Sequence, residues 1–272
     1  MTKLLRPSRA AFRFSGPDAL KLLFDVVTGR IVAAPGPAVW FALLSPQGKI
    51  QAEGLAGFHE DAYWLDVHVD AADAFLKKMK MYRLRAKVEI DDLRASHVVG
   101  WTDEAEGPGI VHADNRVAGQ RFITEAGIDL PTDESAFIAA RIDRGVAEEG
   151  TDFPADALFP HDIGMDFLGG VDFTKGCYIG QEVVSRMQHR GTARRRPVIV
   201  SALPEAAASG APILVGDREA GTVGQIVDGR GVAILRLDRV PDADAATCGG
   251  LPVSLHLPPW APYGFGTAPE GD

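Results

Sequence analysis

Leu20, Leu23, Phe24 and Val27 recur at helical spacing behind Ser15-Gly16-Pro17-Asp18, which supplies a cap, an early proline and a first-turn acid; Gly29 follows the last turn. Val39 to Leu44 then reads as a strand, Pro46-Gln47-Gly48 as a turn, and a second extended run starts at Ile50, together a hairpin. Tyr63 to Val69 predicts another strand. Asp70 would cap a helix through Ala74, Phe75, Met79 and Leu84, and Lys87 to Ile90 would return as a strand. A further helix is predicted over Asp133 to Val146. From Arg196 onward the pattern changes to short apolar runs (198–200, 212–215, 220–223, 232–235) punctuated by Gly, Pro and Asp, as in a small β-barrel or sandwich. Helices among antiparallel strands followed by a barrel define an α+β class. The expected lobes are 1–95, 96–195 and 196–272, with a boundary near Arg194 to Pro197 and a loosely held tail after Trp260.

Composition changes this picture little. The 272 residues are 46% hydrophobic and 24% charged, which suits a globular chain and excludes a disordered or fibrous one. A net charge of −9 argues against nucleic-acid binding driven by global charge. No leader-like segment and no run of about 18 apolar residues is visible, so the expected location is the cytoplasm. The two cysteines, Cys177 and Cys248, rule out a disulfide framework. They also fall short of the roughly four thiolates that a stable iron–sulfur cluster needs, and no histidine stands at zinc-type spacing from them, so no resident metal is expected.

The chemistry concentrates in Lys175-Gly176-Cys177-Tyr178-Ile179-Gly180-Gln181-Glu182. Two glycines permit a sharp turn, and the spacing that follows is helical, so Cys177 is expected at or just before a helix N-terminus, where unpaired N–H groups lower a thiol pKa. Lys175 would add positive charge nearby. Gln181 and Glu182 would share helical faces with Cys177 and Tyr178. The plain alternative is a small buried hydrophobe at Cys177. Against it, a structural turn rarely needs a thiol, a phenol, an amide and a carboxylate together.

That octapeptide resembles the Lys-Gly-Cys-Tyr-x-Gly-Gln-Glu motif of YgfZ-type proteins. Gly16 to Ile31, Ala42 to Ile50, Tyr82-Arg83-Leu84-Arg85 and Arg141-Ile142-Asp143-Arg144-Gly145 are similar to further segments of that family, in the same order. The resemblance implies a three-lobed fold like that of the glycine-cleavage T-protein, with tetrahydrofolate in a central channel. It also implies an accessory role in assembling or repairing iron–sulfur enzymes, with an indirect effect on tRNA thio-modification. Partners would be folate and iron–sulfur clients or assembly proteins, with no membrane and no direct nucleic-acid contact.

Folate recognition asks for a carboxylate on the pterin edge, flat apolar walls, and cations for the glutamate tail. By the resemblance, Asp143 sits where T-proteins place an acid near folate. Glu182 is a second candidate, Arg141 and Arg186 are candidate cations, and Tyr82 is either a wall or plain core. Arg186 follows Glu182 by four residues and would orient it. Arg186, His189, Arg190, Arg194, Arg195 and Arg196 form a basic cluster suited to a polyglutamyl tail or RNA phosphate, or else a solvated junction. The rival function is a tetrahydrofolate-dependent aminomethyltransferase. T-proteins carry a paired acid after the N-terminal hairpin turn, whereas Gly48-Lys49-Ile50-Gln51-Ala52-Glu53 keeps only Glu53, and a lost catalytic acid costs about 100-fold or more. A maturation factor with Cys177 as its functional thiol is therefore favoured over that enzyme. An RNA-binding module ranks last, because no stacking platform accompanies the basic cluster.

Overall fold

The computed structural model describes residues 2–266. The first lobe is a five-stranded antiparallel sheet in the order β3-β4-β5-β2-β6, built from β2 (Arg9–Ser15), β3 (Val39–Leu44), β4 (Ile50–His59), β5 (Ala62–His68) and β6 (Glu89–Asp92). On one face lie α1 (Ala19–Val26) and α2 (Val69–Arg83). Phe12 and Phe14 alternate along β2, so both point to that face, where Phe75 of α2 meets their rings at 5.5 and 6.3 Å between centroids. The opposite face of β2 carries Arg9 and Arg13.

The helices start differently from expectation. Asp18 does precede α1, but its carboxylate accepts the Lys87 N–H at 2.7 Å and so ties the helix to the approach of β6. The α2 cap is His68, whose Nδ1 accepts from Asp70 N; β5 runs to that residue and leaves no room for a cap at Asp70.

The second sheet has the order β1-β7-β9-β8, from β1 (Lys3–Leu5), β7 (His97–Thr102), β8 (Ile110–Ala113) and β9 (Gln120–Glu125). Its edge strand β1 precedes the whole first lobe in sequence, yet pairs Leu4 with Trp101. Segment 3–5 is therefore part of the second sheet, although it falls within the expected lobe 1–95. Next come α3 (Ser135–Asp143), a 3-10 turn at Pro160–Ile163, and α4 (Gln181–Arg190). Helix α3 is shorter than predicted at both ends: Asp133 stays outside, accepting from Ser135 N and Oγ, and Gly145 turns the chain at φ 62°.

The third sheet runs β15-β14-β11-β12-β13-β10-β16, from β10 (Arg195–Ser201), β11 (Pro212–Val215), β12 (Arg218–Val227), β13 (Arg230–Arg236), β14 (Ala246–Cys248), β15 (Leu251–Pro252) and β16 (Ser254–His256). Its two edge strands are separated only by Val253. The edges therefore meet, and the sheet curls almost closed around Val198, Val200, Val223, Ala233 and Cys248. The tail is held as far as it is described. Trp260 Nε1 donates to Arg144 O at 2.6 Å, and Tyr263 Oη donates to Pro197 O at 2.8 Å. The remainder of the predicted loose tail lies outside the described residues. The largest core joins all three sheets, with Leu4, Trp101, Tyr178 and Ile234 in one cluster.

Candidate functional site

Three segments far apart in sequence converge on the motif: the end of α1, the β3–β4 turn, and residues 172–182. Asp172 opens the loop by accepting from Thr174 N (2.8 Å), Thr174 Oγ1 (2.7 Å) and Lys175 N (3.2 Å). Lys175 is buried. Its ammonium donates to the carbonyls of Phe24 (2.8 Å) and Val27 at the C-terminal end of α1 and to that of Gly29 just beyond it (3.2 Å), between the rings of Phe24 and Tyr178. Burial pushes that ammonium down to about 8, against the pull of Asp172 and Asp25. The charge expected to flank Cys177 is thus turned inward, because the helix end needs a donor more than the thiol needs a counter-ion.

On the other flank, Gly180 sits at φ 78° against the hairpin turn. A Cβ there would lie 2.6 Å from Ser45 O, and one on Gly48 would lie 3.0 Å from Val183 Cβ. Both glycines are required by this close approach. Between the two anchors Tyr178 is buried, and burial raises its phenol well above the usual range. Cys177 is exposed, as is Gly176. It lies ahead of the helix rather than on it: Gly180 is the N-cap and α4 begins at Gln181. Cys177 and Tyr178 consequently share no helical face with Gln181 and Glu182. Residues 176–178 have no regular secondary structure, and a turn in which Gln181 N donates to Tyr178 O leads into the helix.

The folate residues carried over by resemblance are not brought together. Tyr82 packs on the first-lobe core. Asp143 is surface-exposed and pairs with Arg230 of β13 at 2.5 Å. Glu182 does pair with Arg186 at 2.6 Å, as its spacing predicts, but in solvent on α4. Arg141 is fully buried and bonds Val146 O and Asp152. Within the basic cluster, Arg196 is also buried, held by Asp166 and His161 O.

Sequence reasoning missed the other concentration of chemistry, a buried ionic network at the junction of the lobes. Arg9 reaches Asp66 (2.7 Å), Glu53 (3.1 Å) and Glu148 (3.3 Å). Arg6 bonds Glu148 and Glu134, while Arg116 bonds Asp114 and Glu53, and Trp40 Nε1 donates to Glu53. Burial opposes ionisation of Asp66 and Glu148. Arg9 and Arg121 outweigh it at Asp66, and Arg6, Arg9 and Arg141 outweigh it at Glu148, holding both carboxyls well below the usual range. Glu149 is the exception: burial, with Glu53 nearby, pushes it up to about 8, and its Oε2 has no hydrogen-bond partner among the described residues. The acidic partners of Arg9 and Arg6 lie 44 to 142 positions away, so no local motif could have revealed them. Beside the network opens a 560 Å³ cleft lined by Arg6, His68, Glu134, Glu148, Ser209 and Gln225, among others.

Among the described residues no group of three His, Cys, Asp or Glu side chains is placed to hold a metal ion, and no helix is long and apolar enough to cross a membrane.

Sheets, helices and nearly closed barrel together define the aminomethyltransferase-like fold. The crystal structure of glycine cleavage system aminomethyltransferase T from Bartonella henselae matches with a TM-score of 0.70 at 12% identity, covering 96% of this chain and 86% of that one. Residues 194–263 match the C-terminal β-barrel domain of CAF17. In sequence the chain is similar to IBA57-type iron–sulfur cluster assembly factors. The mitochondrial IBA57 homologue of Pyricularia oryzae is 32% identical over 211 residues (70% of this chain, 54% of that protein), and that of Mycosarcoma maydis is 30% identical (72% and 56%). Mouse mitochondrial IBA57 is 28% identical, covering 85% of this chain and 76% of that protein. The chain thus spans a little over half the length of these fungal relatives. These relatives are IBA57-type factors and not YgfZ itself. The relatives' mitochondrial names overturn the cytoplasmic expectation, which rested on the absence of a leader-like segment and of a long apolar run.

Proposed function

We propose that this chain is an accessory factor in iron–sulfur cluster assembly that presents Cys177 to a client or assembly protein. The observation that carries this reading is an exposed thiol on a loop pinned at both ends, by Lys175 to α1 and by Gly180 to the hairpin turn. A thiol held in this way meets a partner without a large ordering cost. The similarity to IBA57-type assembly factors supports the same reading. An effect on tRNA thio-modification would follow indirectly, through a cluster-dependent enzyme.

Tetrahydrofolate belongs to this proposal as the ligand of the junction cleft, not of the dispersed set Tyr82, Arg141, Asp143, Glu182 and Arg186. The cleft has a ligand's volume and offers carboxylates and cations to a pterin edge. The aminomethyltransferase alternative is disfavoured by geometry as well as by the missing acid at Ala52. Glu53 is fully buried and committed to Arg9, Arg116 and Trp40, so no free carboxylate remains there for proton transfer.

The deciding experiment is complementation of cells lacking their own assembly factor of this type. Cys177→Ala should fold normally yet fail to restore cluster-enzyme activity; full rescue would reduce Cys177 to a bystander. Calorimetric titration should show saturable tetrahydrofolate binding that Ser209→Trp blocks, and an aminomethyl-transfer assay should stay silent.

A further inference from the structure

At the far end of α4 from Cys177, the rim of the barrel gathers more positive charge than it neutralises. A recess of 210 Å³ lies there, with Arg194, Arg195, Arg236 and Thr192 around it and Phe159 and Met187 as apolar walls. Arg195 and Arg236 are directly opposite each other on β10 and β13, a like-charge pairing that destabilises a sheet. Asp238 takes up Arg236 at 2.7 Å. Neither Arg194 nor Arg195 forms a close salt bridge with a carboxylate among the described residues, although Asp238 feels the charge of Arg194 and Asp162 that of Arg195 at longer range. Lys49 adds a further cation, its ammonium 3.5 Å from the centre of the Phe159 ring and bonded to Ala157 O. Asp162, the one acid lining the recess among the described residues, accepts from Phe159 N, and burial pushes its carboxyl up against the pull of Arg195, Lys49 and Arg196. Arg186 and Arg196 are excluded from this set, being taken by Glu182 and Asp166.

We propose that this recess is a docking site for glutamyl carboxylates of an acidic chain, with adjacent carboxylates on Arg194 and Arg195 and the intervening methylenes against Phe159 and Met187. A guanidinium fork matches a carboxylate with two parallel hydrogen bonds. The apolar walls favour carboxylates carried on aliphatic spacers over a bare inorganic anion, which has nothing to lay against them. Ten helical residues separate the recess from the motif loop, about 15 Å along α4. One acidic partner could therefore engage the recess while reaching Cys177, but the site does not depend on any role for the thiol.

Calorimetry on the whole chain at low salt tests this with α-linked hexaglutamate, γ-linked triglutamate, inorganic phosphate and oligouridylate. Saturable glutamate binding is expected, weakened about tenfold in Arg195→Ala and lost in the Arg194→Glu/Arg195→Glu double variant. These side chains are exposed, and unchanged thermal unfolding and Cys177 alkylation would show that the loss is local. Tighter α-linked binding assigns an acidic protein segment as the source, and tighter γ-linked binding a small-molecule tail. No heat with either glutamate chain, binding indifferent to Arg195→Ala, or equal affinity for phosphate or RNA would overturn the proposal.

Discussion

Replacing Lys175 by methionine keeps the length of the side chain and deletes its donor. The Gly29 carbonyl retains the Ile31 N–H as a second donor, so the substitution strands chiefly the Phe24 and Val27 oxygens. Leaving a buried carbonyl unpaired costs about 1–3 kcal/mol. Two of them lose about 2–6 kcal/mol, less what is recovered by no longer burying an ammonium. A net loss of about 3 kcal/mol is expected in urea unfolding. The local effect should be larger than the global one. Amide exchange over residues 172–180 should accelerate well below the unfolding midpoint, and alkylation of Cys177 by a neutral reagent should change with it, while the barrel stays protected. If Lys175→Met leaves both stability and exchange of that segment unaltered, the ammonium is not what anchors the loop.

Three further outcomes follow from the geometry. Glu149→Gln should raise stability near neutral pH: the folded carboxyl titrates at about 8 against an ordinary 4.5, so wild-type stability falls as pH rises between these values. The variant's advantage, about 3 kcal/mol at pH 7, should vanish below pH 4.5, and a difference independent of pH would refute the assignment. Arg9→Met should cost about 3–5 kcal/mol in denaturant unfolding, because Asp66, Glu53 and Glu148 would lose a shared buried cation. Gly180→Ala should cost about 2 kcal/mol or more through its left-handed backbone and the approach to Ser45 O, with Cys177 alkylation altered; wild-type behaviour in both assays would contradict the docking described.

What was legible in the sequence was whatever is encoded within a dozen residues. The stripe of α1, the β3–β4 hairpin and strands β10 to β13 of the barrel announce themselves by period and by turn residues, whereas β14, β15 and β16 do not. Strand β2 did not, although it lies between β5 and β6, because its Arg-Ala-Ala-Phe-Arg-Phe run mixes inward charge with apolar positions. The strands β7, β8 and β9 were likewise unread. At the site, the motif's importance was visible but its shape was not. Nothing local to Lys175 tells that its ammonium is claimed by carbonyls almost 150 positions earlier. The same distance hid the Arg9 network, where each charge looks like surface until its partner is placed.

The pairing of β1 with β7 carries a consequence for synthesis. Leu4 is made almost a hundred residues before its neighbour Trp101, and Ile234 of the same cluster is made later still. The strand that carries Leu4 must therefore wait for its partner with an apolar side chain uncovered, which favours a chaperone-held nascent chain over lobe-by-lobe maturation. An excised fragment ending near residue 95 would carry that strand with nowhere to put it.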